Sequence, residues 1–144
     1  MATRCLWVLL VFSALTPLAW SSGEQPSHVL HYQARNSMML VTVAIDGKNR
    51  TLVFDTGAEQ TMIHFPQVSH GQEMALWQHS YAYVKQRSNV KLGTQTFLID
   101  VIKANLTGAS LLKVADGVLG QDVLSNFASI RIDYRQQTIE LFER

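Results

Sequence analysis

The chain has 144 residues, with 12 Lys and Arg against 11 Asp and Glu, a formal net charge of +1 and 47% hydrophobic residues. So even a balance leaves no electrostatic footprint for nucleic acid or an anionic membrane surface. The single cysteine, Cys5, excludes an intrachain disulfide, so stability must come from apolar packing or from association of copies.

The N-terminal residues read as a secretory signal peptide. Met1-Ala2-Thr3-Arg4 is short and positive, residues 5–20 are apolar except for Ser13 and Thr16, and Pro17 breaks the run near its end. Ala19 and Ser21 stand at the −3 and −1 spacing of a signal-peptidase site. The run is shorter than the ~20 residues that span a bilayer comfortably. Residues 1–21 are therefore expected to be cleaved, giving a secreted or periplasmic protein without stable membrane insertion. Roughly 120 residues then remain, which suits one domain with one core. Residues 22–37 are polar and are expected to form a mature leader, with a short strand over 29–32. The domain proper is expected over 38–144.

From Met38 the pattern turns to β. Residues 39–45, Met-Leu-Val-Thr-Val-Ala-Ile, are rich in β-formers. Asp46-Gly47 marks a hairpin turn and residues 50–54 the return strand, so Asp55 stands where a strand runs into a loop. Residues 60–63 predict a short strand and 65–72 a loop. Residues 81–84 alternate and predict a strand that can run on through 85–89 to Val90-Lys91-Leu92. Gly93-Thr94 is read as a turn, 97–103 as a strand, 105–110 as a loop, and Gly117 as a turn glycine. After Val118-Leu119-Gly120, the apolar spacing of Val123, Leu124 and Phe127 predicts a two-turn helix over 121–127. Residues 128–134 and 138–142 alternate as strands about a turn at 135–137. One short helix among many short strands predicts an all-β, barrel-like domain, closed or partly open.

Asp55-Thr56-Gly57-Ala58 closes the apolar run Leu52-Val53-Phe54. A carboxylate at the end of a buried strand is costly unless its charge is used. The layout suits a carboxylate dyad for hydrolysis, in which two Asp side chains about 3 Å apart share one proton. The ionised partner takes a proton from water and the protonated one polarises the substrate carbonyl, with no side-chain nucleophile, metal or cofactor. Gly57 lets the backbone approach closely, Thr56 offers a hydroxyl that can tie two such loops together, and Ala58 leaves a cavity floor open. Asp-Thr-Gly occurs once. Asp46, Asp100, Asp116, Asp122 and Asp133 lack its context, so the second carboxylate is expected from Asp55 of another copy across a two-fold axis. His28 and His31 sit at a spacing that puts strand side chains on opposite faces. His64, His70 and His79 are scattered, and no metal site is expected.

Residues 38–142 resemble the retropepsin-like aspartic proteases, single-domain relatives of pepsin that act as homodimers. Val53-Phe54-Asp55-Thr56-Gly57-Ala58 is similar to the family's catalytic loop. Val118-Leu119-Gly120, followed by Gln121-Asp122-Val123-Leu124, is similar to the apolar-apolar-Gly-helix element beside that loop. The tail over 130–141 looks like the closing strands of secreted bacterial members. The resemblance implies an aspartic endopeptidase acting on a peptide or protein, with Asp55 as catalytic aspartate and Thr56 as inter-subunit hydroxyl. It also implies a hairpin flap over the cleft, for which Trp77, Gln78, His79, Ser80 and Tyr81 are the candidates. Three features depart from the pattern. The family's Arg after the second Gly and its acidic partner are here Gln121 and Glu59, leaving at best a hydrogen bond between them. The flap candidates include no glycine, and the polar stretch 85–89 interrupts the second flap strand. A non-catalytic peptide-binding module on the same fold is the alternative.

Overall fold

Turn residues recur between apolar runs, and hairpins therefore dominate the architecture. The structure, a computed structural model, describes residues 25–76 and 78–144. The expected signal segment, residues 1–21, and the flap candidate Trp77 lie outside them. In chain order the strands are β1 (His28–His31), β2 (Gln33–Arg35), β3 (Met38–Ile45), β4 (Lys48–Phe54), β5 (Met62–His64) and β6 (Gln72–Leu76). They continue with β7 (His79–Leu92), β8 (Gln95–Ala104), β9 (Gly117–Leu119), β10 (Ser129–Asp133) and β11 (Thr138–Phe142). A 3-10 turn, Ser110–Lys113, precedes β9, and α1 (Gln121–Leu124), the single α-helix among the described residues, follows it. No helix among the described residues is long and apolar enough to cross a membrane.

The larger sheet runs β2-β3-β4-β9-β5-β8-β7-β6. Ala44 and Ile45 of β3 also pair with Lys91 and Val90 of β7. That short contact bends the sheet into a ring, β3-β4-β9-β5-β8-β7 and back to β3, with β2 and β6 as its edges. The expected all-β, partly open barrel with one short helix is what the chain forms. The β3–β4 hairpin turns at Asp46 (φ 49°) and Gly47 (φ 78°), the left-handed pair that a type I′ turn requires. β7 is continuous over 14 residues and pairs with β8 from Tyr83 to Leu92. The polar stretch 85–89 is therefore no interruption. Its side chains are mostly exposed, while the alternate positions Ser88, Val90 and Leu92 are buried.

Residues 28–35, expected in a leader outside the domain, are built into it. β1 pairs with β11, with His28 opposite Leu141 and His31 opposite Thr138, in a three-stranded sheet ordered β1-β11-β10. β2 pairs with the start of β3. Alternate residues here, His28, Leu30 and Tyr32, turn towards the core, and those between them face solvent, so the stretch reads as polar. The predicted two-turn helix stops after Leu124. The side-chain amide of Asn126 donates to the carbonyls of Asp122 and Val123, taking up acceptors a longer helix would use. Phe127 is still buried, but from a turn.

Side-chain alternation sorts the core into two layers. Leu52 and Phe54 of β4, Ile63 of β5 and Leu119 of β9 face the barrel interior. Val53, Met62 and Val118 on the same strands face the other way, into a cluster with Leu40, Tyr81 and Leu106. Covered on both faces, β4, β5 and β9 carry apolar runs rather than alternation.

Asp46 ties the first hairpin to the long strands. Its carboxylate accepts the Asn89 N–H at 2.9 Å and lies 3.4 Å from Lys103 Nζ. Burial alone would push this carboxyl up, but the Asn89 amide, the Ser88 side chain and the Lys103 ammonium together outweigh it and hold it below the usual carboxylate range. A lowered folded-state value contributes stability that is present above the unfolded value, ~3.9, and is lost as pH falls through the folded one. Wild type should therefore exceed Asp46→Asn in stability at neutral pH, with the gap closing below about pH 4. Urea unfolding of both proteins across pH checks this, and a gap that does not change with pH contradicts it.

Candidate active site

Asp55 is held by the end of β4. Leu52 and Phe54 anchor that strand in the core, and β4 runs parallel to β9 with Val53 opposite Val118 and Phe54 opposite Leu119. The Asp55 N–H donates to the Leu119 carbonyl at 3.1 Å. The two triplets singled out in the sequence, Asp55-Thr56-Gly57 and Val118-Leu119-Gly120, are thus brought side by side by strand register. The loop then folds on its own carboxylate, for Gly57 N–H donates to Asp55 Oδ1 at 2.8 Å. Asp55 stays half-buried, Thr56 and Gly57 are exposed, and Ala58 is half-buried.

The segment after β9 clamps the loop from behind. Gln121 N–H donates to the Ala58 carbonyl at 2.8 Å, and Gln121 Nε2 donates to the Thr56 carbonyl at 2.8 Å. The expected pairing of Gln121 with Glu59 is not made; the Gln121 amide holds loop backbone instead, and Glu59 faces the cleft. Gly120 fits because the backbone of the loop passes close by, and a Cβ there would lie 2.6 Å from the Gln60 carbonyl carbon. Gly117 is a strand residue rather than a turn residue. It is there because the Met62 carbonyl oxygen would lie 2.0 Å from its Cβ.

A buried brace completes the clamp. Thr61 is fully buried, donating its hydroxyl to Asp122 Oδ1 at 2.6 Å and its N–H to Asp122 Oδ2 at 2.8 Å. The same hydroxyl accepts the Gly120 N–H at 3.1 Å. Neither residue stood out for this role in the sequence, because their separation hides the contact. The available signal was an Asp in the first turn of a helix, where acidic side chains find free N–H groups. Thr61→Val keeps the shape and leaves Asp122 short of a donor and Gly120 of an acceptor. It should lower stability by about 1–3 kcal/mol, measurable by thermal or urea denaturation.

Asp55, Ala58 and Glu59 lie along a cleft of about 340 Å³, with Met62, Ile102 and Val118 from β5, β8 and β9 and Met74 and Leu76 from β6. β6 and the first part of β7 pair as a hairpin, with Leu76 opposite His79 and Gln78 at φ 67°. The hairpin expected as the flap is present, but the residues that reach the cleft, Met74 and Leu76, belong to its first strand. Of the candidates, His79 and Ser80 are exposed, the Ser80 hydroxyl donates to Glu73 at 3.1 Å, and Tyr81 is buried in the second core cluster.

No family model matches the chain, and no curated protein matches it. Among solved structures it is similar to a retropepsin-like aspartic protease from Rickettsia conorii, at 17% identity and a TM-score of 0.55, over 79% of this chain and 91% of that one. It is also similar to EIAV protease complexed with the inhibitor HBY-793, at 13% identity and a TM-score of 0.47, over 65% of this chain and 90% of that one. The likeness to the rickettsial protein shows that this chain has the retropepsin-like fold.

Proposed function

We propose that this chain of retropepsin-like fold is an aspartic endopeptidase, a peptide-bond hydrolase that works as a homodimer. The single observation that carries the reading is the placement of Asp55, half-buried on the floor of an apolar cleft beneath a hairpin. An aspartic mechanism needs two carboxyls about 3 Å apart sharing one proton. The other carboxylate along the cleft, Glu59, lies beyond Ala58 on the same loop, so the second group is supplied by Asp55 of another copy across a two-fold axis. The Thr56 hydroxyl is exposed and makes no hydrogen bond among the described residues, which leaves it open to the facing loop. The ionised Asp55 takes a proton from water, the protonated one polarises the scissile carbonyl, and the shared proton passes on to the leaving amine. The dyad must keep one proton, so cleavage favours acidic pH.

The substrate is an extended peptide. β6 is an edge of the larger sheet, so its free N–H and C=O groups can pair with an added strand above the cleft. Met62, Met74, Leu76, Ile102 and Val118 favour apolar side chains there. The N-terminal segment over 1–21 directs the protein to the secreted or periplasmic space. Cleavage of a peptide library at acidic and neutral pH, with sedimentation of the same samples, tests the reading. Hydrolysis by a species of dimer mass is expected, and hydrolysis by a monomer overturns the shared dyad. A second reading, a peptide-binding module without catalysis, draws on the flap turn, where Gln78 rather than glycine holds the left-handed position. Saturable peptide binding without cleavage at any pH would assign it.

A further inference from the structure

Away from Asp55, at the other end of β4, a second cavity of about 270 Å³ opens between the β3–β4 hairpin and the strands β5, β7 and β8. Lys48, Arg50 and Lys103 line it, against one carboxylate, Asp46. Lys48 and Arg50 are two apart on β4 and so project from the same face. Lys103 reaches the cavity from β8, and its side chain is only 9% exposed. Its ammonium lies 3.4 Å from Asp46 Oδ2 and 5.3 Å from the centre of the Phe65 ring, which leaves donor capacity unused. Arg50 Nε is buried and has no hydrogen-bond partner among the described residues. A buried donor without an acceptor is costly, and native proteins fill such positions with a bound ion or water.

We propose that this cavity binds a tetrahedral oxyanion, phosphate or sulfate, either free or as the head of a small monoester. Three cations and one carboxylate leave two positive charges, which a dianion neutralises. The edge of a guanidinium formed by Nε–H and one Nη–H is the planar fork that takes two oxygens of such a group side by side. Lys103 and Lys48 then supply the point charges around it. Ile45, Ile63 and Phe65 give the cavity an apolar wall on which the body of a monoester can rest. Both Lys48 and Arg50 belong to the hairpin that Asp46 ties down, so a bound anion would also lock that hairpin to β8.

The test is a titration of the ¹⁵N-labelled protein with sodium phosphate, sodium sulfate and phenyl phosphate, followed through the Arg Nε–H signals. Sodium chloride at matched ionic strength is the control. A saturable shift of one signal is expected, assigned to Arg50 by its absence in Arg50→Gln. Arg50→Gln should weaken phosphate binding by about tenfold or more, and Lys48→Gln, which alters only an exposed side chain, by a few-fold. Tighter binding of phenyl phosphate than of phosphate assigns a monoester, and the reverse order a free ion. The proposal is overturned if chloride reproduces the shift. It is equally overturned if folded Arg50→Gln and Lys48→Gln proteins both bind phosphate as the parent does.

Discussion

Asp55→Asn is expected to reduce peptide cleavage by at least about 10³-fold, the scale on which a positioned acid–base group acts, while the protein keeps its fold. Asparagine retains an oxygen that can accept the Gly57 N–H now held at 2.8 Å, so the loop loses a charge rather than its shape. Asparagine cannot take a proton from water, and two of them facing each other share none. A mixing experiment separates the shared dyad from a self-sufficient active site. If wild-type and Asp55→Asn copies exchange freely in equal amounts, about one quarter of the dimers carry two aspartates. Activity should drop to that fraction, whereas a monomeric enzyme would retain half. Unchanged cleavage by the Asn variant alone would remove Asp55 from the chemistry.

Gly117→Ala should cost about 3 kcal/mol or more, the upper range for overpacking, out of a total stability of roughly 5–15 kcal/mol. The added Cβ would stand 2.0 Å from the Met62 carbonyl oxygen and 2.8 Å from Ile63 Cα. Both are backbone atoms of β5, which pairs with β9 at this point, so neither can yield without separating the two strands. Separation would also release Val118 and Leu119, and with them the partner of the Asp55 N–H. Stability and cleavage should therefore fall together. Gly108→Ala is the contrast, since no atom of the described residues lies within 4 Å of its Cβ position and only its positive φ opposes the change. Urea denaturation midpoints of the two variants check the order. A Gly117→Ala protein as stable as wild type would mean that β5 and β9 are not packed as described.

The parts of this fold that local chemistry controls are readable along the chain. Asp46-Gly47 has the two residue types that accept left-handed backbone, and the hairpin turns there. Leu52-Val53-Phe54 is apolar on both faces because both faces are covered, and that run leads Asp55 to the cleft. What local pattern hides is where a side chain ends up. Met74 and Leu76 lie in a stretch flanked by Gln and Glu, and only the fold turns them over Asp55. Gln121 reaches the Thr56 carbonyl and leaves Glu59 to the cleft, a choice between two acceptors close together in sequence. Thr61 and Asp122 become partners only when α1 packs behind the loop. β1 is legible as a short strand over 29–32, but its place in the domain is not, because every other residue faces solvent; β2 carries no pattern at all, since its three residues are all exposed.

The neighbour of β1 is β11, drawn from the opposite end of the domain. The first strand thus has no sheet to join until the last one has left the ribosome. The smaller sheet can close only after every strand of the larger one has been made, by the slow kind of pairing that distance along the chain imposes. The opening strand waits, unpaired, for nearly the whole time the polypeptide is being made.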